Sequence, residues 1–130
     1  MADNVQKITA SLNDGSILCS DNQGAQVKIG GGGPRATDLL LMAVAGCSAA
    51  TLSALLKRDG YQISKLDMTV EGLRGEERPR RFTDIYVKYD IRCEGLAPAK
   101  LEEYLKLTEQ FCPVIQSVSA RVHLNYVLNG

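Results

Sequence analysis

Two cysteines hold the positions from which this chain could do chemistry: Cys47, in the middle of the apolar run AVAGCSAATL, and Cys112, directly ahead of a proline in QFCPV. A thiolate is a nucleophile, and two thiols within reach of one another support a redox cycle. One is oxidised to a sulfenic acid, and the second condenses with it to form a disulfide. Spacing alone leaves the alternative open, that both are small buried hydrophobes on packed helices. The other two thiols read as packing residues, Cys19 on a short strand and Cys93 on the apolar face of a long one. There is no C-x-x-C and a single histidine, His123, so a zinc site would need thiols gathered from distant segments. His123 falls among the polar positions of the last strand and reads as a hydrogen-bonded strand histidine. No metal and no cofactor are expected.

The elements that must position these thiols follow from periodicity. Ile8, Ala10 and Leu12 alternate on a first strand, Asn13-Asp14-Gly15-Ser16 and Asp21-Asn22-Gln23-Gly24 supply turns, and Ala25, Val27 and Ile29 alternate again. Residues 1–29 therefore read as an antiparallel β-meander. Residues 30–59 read as a flexible glycine hinge and a central helix. Gly30 to Gly33 ends in Pro34-Arg35-Ala36-Thr37, with no Gly-Lys-Ser/Thr and no G-x-G-x-x-G, so a nucleotide loop is not supported. Thr37 or Asp38 is expected to cap a helix from Leu39 to Leu56 that is apolar almost all round, closed by Lys57, Arg58 and Gly60. Its length approaches that of a membrane span, but its many small residues suit packing by protein, and no membrane association is expected.

Residues 64–128 supply a ββαβ remainder. Leu66, Met68 and Val70 alternate on one strand, and a charged connection from Arg74 to Arg81 leads to a longer one, with Ile85, Val87, Tyr89, Ile91 and Cys93 on its apolar face. Pro98 opens a second helix, whose stripe is Leu101, Leu105, Thr108 and Cys112 with Tyr104 and Phe111 beside it. Pro113 ends that helix at Cys112 and leaves the cysteine at the N-cap of a short one, where free N–H groups lower a thiol pKa. Val122, Leu124, Tyr126 and Leu128 close the chain as a strand. At 130 residues, with 15 basic and 15 acidic side chains, the chain fits one domain with no charge surplus to steer it to nucleic acid. No cationic, apolar leader is visible at the start, so a cytoplasmic location is expected.

Three stretches, TDLLLMAVAGCSAATLSALL, RPRRFTDIYVKYDI and KLTEQFCPVIQSV, together resemble the OsmC/Ohr family of thiol-dependent hydroperoxide reductases over roughly residues 30 to 128. The anchors are a cysteine in an apolar helix after D-L-L-L-M-A and a second in an F-C-P-V segment. The resemblance implies an α+β fold: an intertwined homodimer whose antiparallel sheets wrap two long central helices, one from each subunit, with the site at the subunit interface. It implies that Cys47 is the peroxidatic thiol and Cys112 the resolving one. It further implies an organic peroxide substrate and a dithiol reductant, a lipoylated protein being one known in the family. So apolar a helix needs covering from more than one side, which agrees with a dimer.

The chain also departs from the family. Its peroxidases carry an early-strand arginine and a glutamate just before the cysteine helix, yet residues 1 to 34 contain no arginine and Thr37, beside Asp38, stands at the glutamate position. Ala36 replaces a common proline. Arg35 lies twelve residues before Cys47, or ~18 Å along a continuous helix, too far to reach the thiol. Arg80 or Arg81 of the R-P-R-R-F segment, from either subunit, is the expected cation. These departures support an alternative: a non-enzymatic dimer of this fold that binds a small apolar ligand or serves a stress-related role, with its thiols merely packed.

Overall fold

The computed structural model describes residues 4–130. The reading of a leaderless start rests partly on residues 1–3, which lie outside them. Two compact units divide the chain, one ending at Leu40 and one spanning Leu41–Gly130.

The first unit contains the meander, strands β1 (Ile8–Asn13), β2 (Ser16–Asp21) and β3 (Gln26–Ile29), antiparallel in that order as expected. Asn13 pairs with Ser16, so Asp14 and Gly15 alone make the turn; their φ values of 42° and 80° are those of a type I′ hairpin. At the next turn the Asp21 carboxylate accepts the backbone N–H groups of Gln23 and Ala25, both at 2.8 Å. The hinge is built rather than slack. Gly33 N–H donates to the Gly30 carbonyl at 3.0 Å, Gly30 N–H donates to Pro34, and a Cβ on Gly33 would run into the Lys28 carbonyl.

Helix α1 (Ala36–Arg58) starts three residues earlier than expected. The first helical bond runs from Leu39 N–H to the Arg35 carbonyl, which makes Arg35 the N-cap and corrects the assignment of that place to Thr37 or Asp38. Asp38 is instead the third helical residue, reaching back to accept the Arg35 N–H at 3.1 Å, as the acidic partner of a capping box does. The other end closes as expected at Gly60 (φ 87°). Tyr61 N–H bonds the Leu56 carbonyl and Gly60 N–H that of Lys57, the paired bonds of a Schellman motif. Although α1 is apolar almost all round, its buried residues form one narrow stripe, Val44, Ser48, Leu52 and Leu56.

The second unit holds strands β4 (Lys65–Arg74), β5 (Phe82–Arg92) and β6 (Arg121–Leu128), in that order. β4 and β5 are antiparallel, but β5 and β6 run parallel, which corrects the expectation of antiparallel sheets throughout. The reason is the connection: α2 (Pro98–Phe111) and the short α3 (Pro113–Ser117) carry the chain back to the starting end, as a parallel pair requires. Ile85, Val87, Tyr89, Ile91 and Cys93 are fully buried, as the alternation predicts. With Val44, Leu52 and Leu56 of α1 and Leu101, Tyr104 and Leu105 of α2 they form the core. Phe111, expected beside the buried stripe of α2, is 60 % exposed. The β4–β5 connection contains a cis Arg78–Pro79 peptide.

Candidate functional site

Three elements of the second unit converge on one point of this core. α1 contributes Cys47 and Ser48, β5 contributes Tyr89, and the junction between α2 and α3 contributes Cys112. Ser48 lies on the buried stripe of α1, so Cys47, one residue earlier, sits at its margin and is half-buried. Cys112 N–H donates to the Thr108 carbonyl at 2.9 Å, and its own carbonyl accepts Gln116 N–H at 3.1 Å, so this single extended residue (φ −75°, ψ 113°) ends one helix and starts the next. Pro113 enforces the break.

Cys47 is a neighbour of Cys112, near enough for the two thiols to bear on one another's ionisation. All four cysteines are free thiols. Cys112 is the N-cap of α3 as expected, and although its sulfur takes no capping hydrogen bond, the nearby backbone N–H groups of Ile115 and Val114 act to lower its pKa. Burial outweighs them. Complete removal from water pushes the Cys112 thiol pKa up, and the neighbouring Cys47 adds to the rise, so the expectation of an activated Cys112 is corrected. Cys93 is likewise raised by burial and serves the core, while Cys19 is half-buried on β2 opposite Ala10 and Val27.

The expected supporting residues have partners of their own. In the first unit Arg35 and Asp38 bind each other through two side-chain contacts of 3.0 Å, which holds the Asp38 carboxyl below its ordinary pKa. Thr37 is half-buried beside them on the first turn of α1. In the second unit Arg80 Nε donates to the Gly75 carbonyl at 3.2 Å and Arg81 Nη1 to that of Phe82 at 3.2 Å. Both guanidinium groups therefore brace the β4–β5 loop. Among the described residues of this unit, none of the hydrogen bonds or ion pairs joins a basic side chain to Cys47.

Sequence reasoning placed Tyr89 only as a core residue. Its ring is fully buried, its hydroxyl has no hydrogen-bond partner, and Ser48 and Cys112 are near enough to bear on its ionisation. Burial pushes the Tyr89 phenol pKa up, against a smaller lowering effect of the Ser48 hydroxyl. The signal was present in the alternation, since a tyrosine among isoleucines and valines carries an O–H into the core. His123 meets its expectation, its Nε2 lying 2.9 Å from the Asp84 carboxylate and its ring stacked on Tyr86. Among the described residues no group of three or more His, Cys, Asp or Glu side chains could hold a metal ion.

Residues 29–127 match the family described as OsmC-like protein. Protein YhfA of Escherichia coli strain K12 is 26 % identical over 117 residues, 89 % of this chain and 83 % of that protein. Among solved structures, an OsmC-like protein from Mycoplasma pneumoniae superposes with a TM-score of 0.85 at 24 % identity, covering 97 % of this chain and 98 % of the other. The organic hydroperoxide resistance protein OhrB of Bacillus subtilis does so with a TM-score of 0.64 at 18 % identity, covering 96 % and 98 %. At these identities the likeness to the two structures is one of fold.

Proposed function

The chain belongs to the OsmC-like protein family, and we propose that it is a thiol-dependent peroxide reductase acting on organic hydroperoxides. The observation that carries this reading is the pair itself: a half-buried thiol, Cys47, beside a fully buried one, Cys112, on elements that hold both in place. Cys47 as thiolate attacks the peroxide oxygen, the O–O bond breaks and an alcohol leaves, and Cys47 becomes a sulfenic acid. Cys112 then displaces that hydroxyl as water and closes a disulfide, which an external dithiol reopens by exchange. A lipoylated protein is a suitable dithiol. The cycle needs a compartment that keeps thiols reduced, and the cytoplasm is the proposed location.

A homodimer belongs to the same reading. Only 22 % of the most apolar eighteen-residue stretch of α1 is buried, and the helix is long and apolar enough to cross a membrane by length and composition alone. Its exposed residues include the large apolar Met42 and the small Ala43, Gly46, Ala50 and Ala54, which let a second helix approach closely. A second copy of the chain covering this stripe, rather than lipid, is the proposed partner.

The test is to treat the reduced protein with one equivalent of cumene hydroperoxide and map the product by mass spectrometry. A Cys47–Cys112 disulfide is expected, and its failure to form overturns the mechanism. The second reading, a non-enzymatic dimer that binds a small apolar ligand or serves a stress-related role, is favoured by one observation: no basic side chain of the second unit pairs with Cys47 among the described residues. Equal, negligible peroxide consumption by the wild type and by Cys47→Ser would support it.

A further inference from the structure

Half of the arginines of the chain, Arg74, Arg78, Arg80 and Arg81, stand at the end of β4 and in the turn that leads to β5. Three of them are fixed to backbone carbonyls of that turn by one nitrogen each. Arg74 Nε donates to Arg80 at 2.7 Å, Arg80 Nε to Gly75 at 3.2 Å and Arg81 Nη1 to Phe82 at 3.2 Å. Gly75 N–H in turn bonds the Arg81 carbonyl at 2.9 Å, so the carbonyls that hold Arg74 and Arg80 flank one backbone bond at the neck of the turn. Both guanidinium groups are thereby gathered at that neck, each held by Nε with its terminal NH2 groups uncommitted.

Bracing does not explain the charge. A hydrogen bond to a carbonyl needs only a neutral N–H. None of the four arginines enters an ion pair among the described residues, although Glu76 and Glu77 lie in the same turn. Guanidinium groups concentrated in one turn repel one another, which costs stability while nothing offsets it. Four positive and two negative side chains leave the turn with two positive charges in excess, and all but Arg74 of these side chains are exposed.

We propose that this turn is a binding site for a phosphate group, presented as free phosphate or on a soluble phosphate monoester. A guanidinium offers parallel N–H donors at the spacing of two phosphate oxygens, and heads already fixed in place lose little freedom on binding. A phosphate dianion matches the excess of two charges, whereas a single carboxylate would leave half of it unmet. The inference does not depend on the peroxidase reading, since no thiol takes part.

The test follows the full-length protein in inorganic phosphate up to about 10 mM, with ionic strength held constant by chloride, through thermal unfolding and titration calorimetry. Wild type is expected to show a saturating rise in Tm and a matching binding isotherm. Arg80→Gln should weaken the apparent affinity about tenfold. Arg78 takes part in none of the bracing bonds, so Arg78→Gln leaves the turn intact. It should weaken phosphate binding while being as stable as wild type, or more so, in chloride alone, a pair of effects that a merely structural role would not produce. Arg92→Gln, which removes an exposed charge at the other end of β5, should keep the wild-type response. A rise in Tm that does not saturate and is the same in wild type and both turn variants is the general salting-out effect of phosphate, and it overturns the site. An equal loss in Arg92→Gln overturns it as well. Retention on vesicles containing phosphatidic acid, with no response to free phosphate, overturns it in favour of a membrane surface.

Discussion

The middle of α1 and the junction of α2 with α3 each present one thiol to the same point, and they differ in what local structure and burial do to it. Cys47 sits mid-helix, where the dipole offers little, but at the margin of the buried stripe, where it stays half-exposed. Cys112 has the backbone N–H groups of a helix start nearby, which favour its thiolate, and is nevertheless pushed up in pKa, because no part of it meets solvent. The comparison shows that an activating local motif does not make an activated residue once desolvation is larger. It also divides the labour: the accessible thiol can meet a substrate, while the sealed one waits for its neighbour to change.

If that division holds, replacing the two cysteines has unequal consequences. Cys47→Ser should lower peroxide turnover on the order of a thousandfold, measured by peroxide consumption with a dithiol present. Cys112→Ser should spare the first oxidation and block closure, so that dimedone labels a persistent sulfenic acid at Cys47; labelling at residue 112 in Cys47→Ser would reverse the roles. The pH dependence of stability sharpens the contrast further. The folded pKa of Cys112 is raised, so its contribution is fully present below the ordinary thiol value near ~8.5 and is lost as pH rises toward the folded value. Denaturant unfolding from pH 7 to 10 should show stability declining at the alkaline end, less steeply in Cys112→Ser. The smallest effect is expected at Arg35→Gln. Its guanidinium is occupied by Asp38, and the rate of Cys47 alkylation by iodoacetamide should barely change; a large drop would restore Arg35 as an activator.

Much of this was legible in the residues. The two-residue alternation in Ile85, Val87, Tyr89, Ile91 and Cys93 correctly predicted the buried face of β5, since side-chain direction in a strand depends only on parity. Pro98 and Pro113 marked the start and end of α2 through constraints on the backbone. Other features were not legible because they depend on partners distant in sequence. The apolar circumference of α1 could not say that Val44, Ser48, Leu52 and Leu56 would be the residues fully buried within the chain. Nor could the alternation in β6 say whether it pairs parallel or antiparallel with β5, because the pattern is the same in both.

By itself, then, the sequence determined the local geometry around both thiols: a mid-helical Cys47, and a Cys112 held at a helix break by Pro113. It determined these because periodicity, proline and capping act over a few residues. Tertiary structure alone decided that the two thiols are neighbours, that burial of Cys112 overrides its helix-start position, that Arg80 and Arg81 serve a loop, and that the Tyr89 hydroxyl is left unpaired in the core. Each of those outcomes depends on which groups are brought together and which are cut off from water, and both are settled only when the helices close on the sheet.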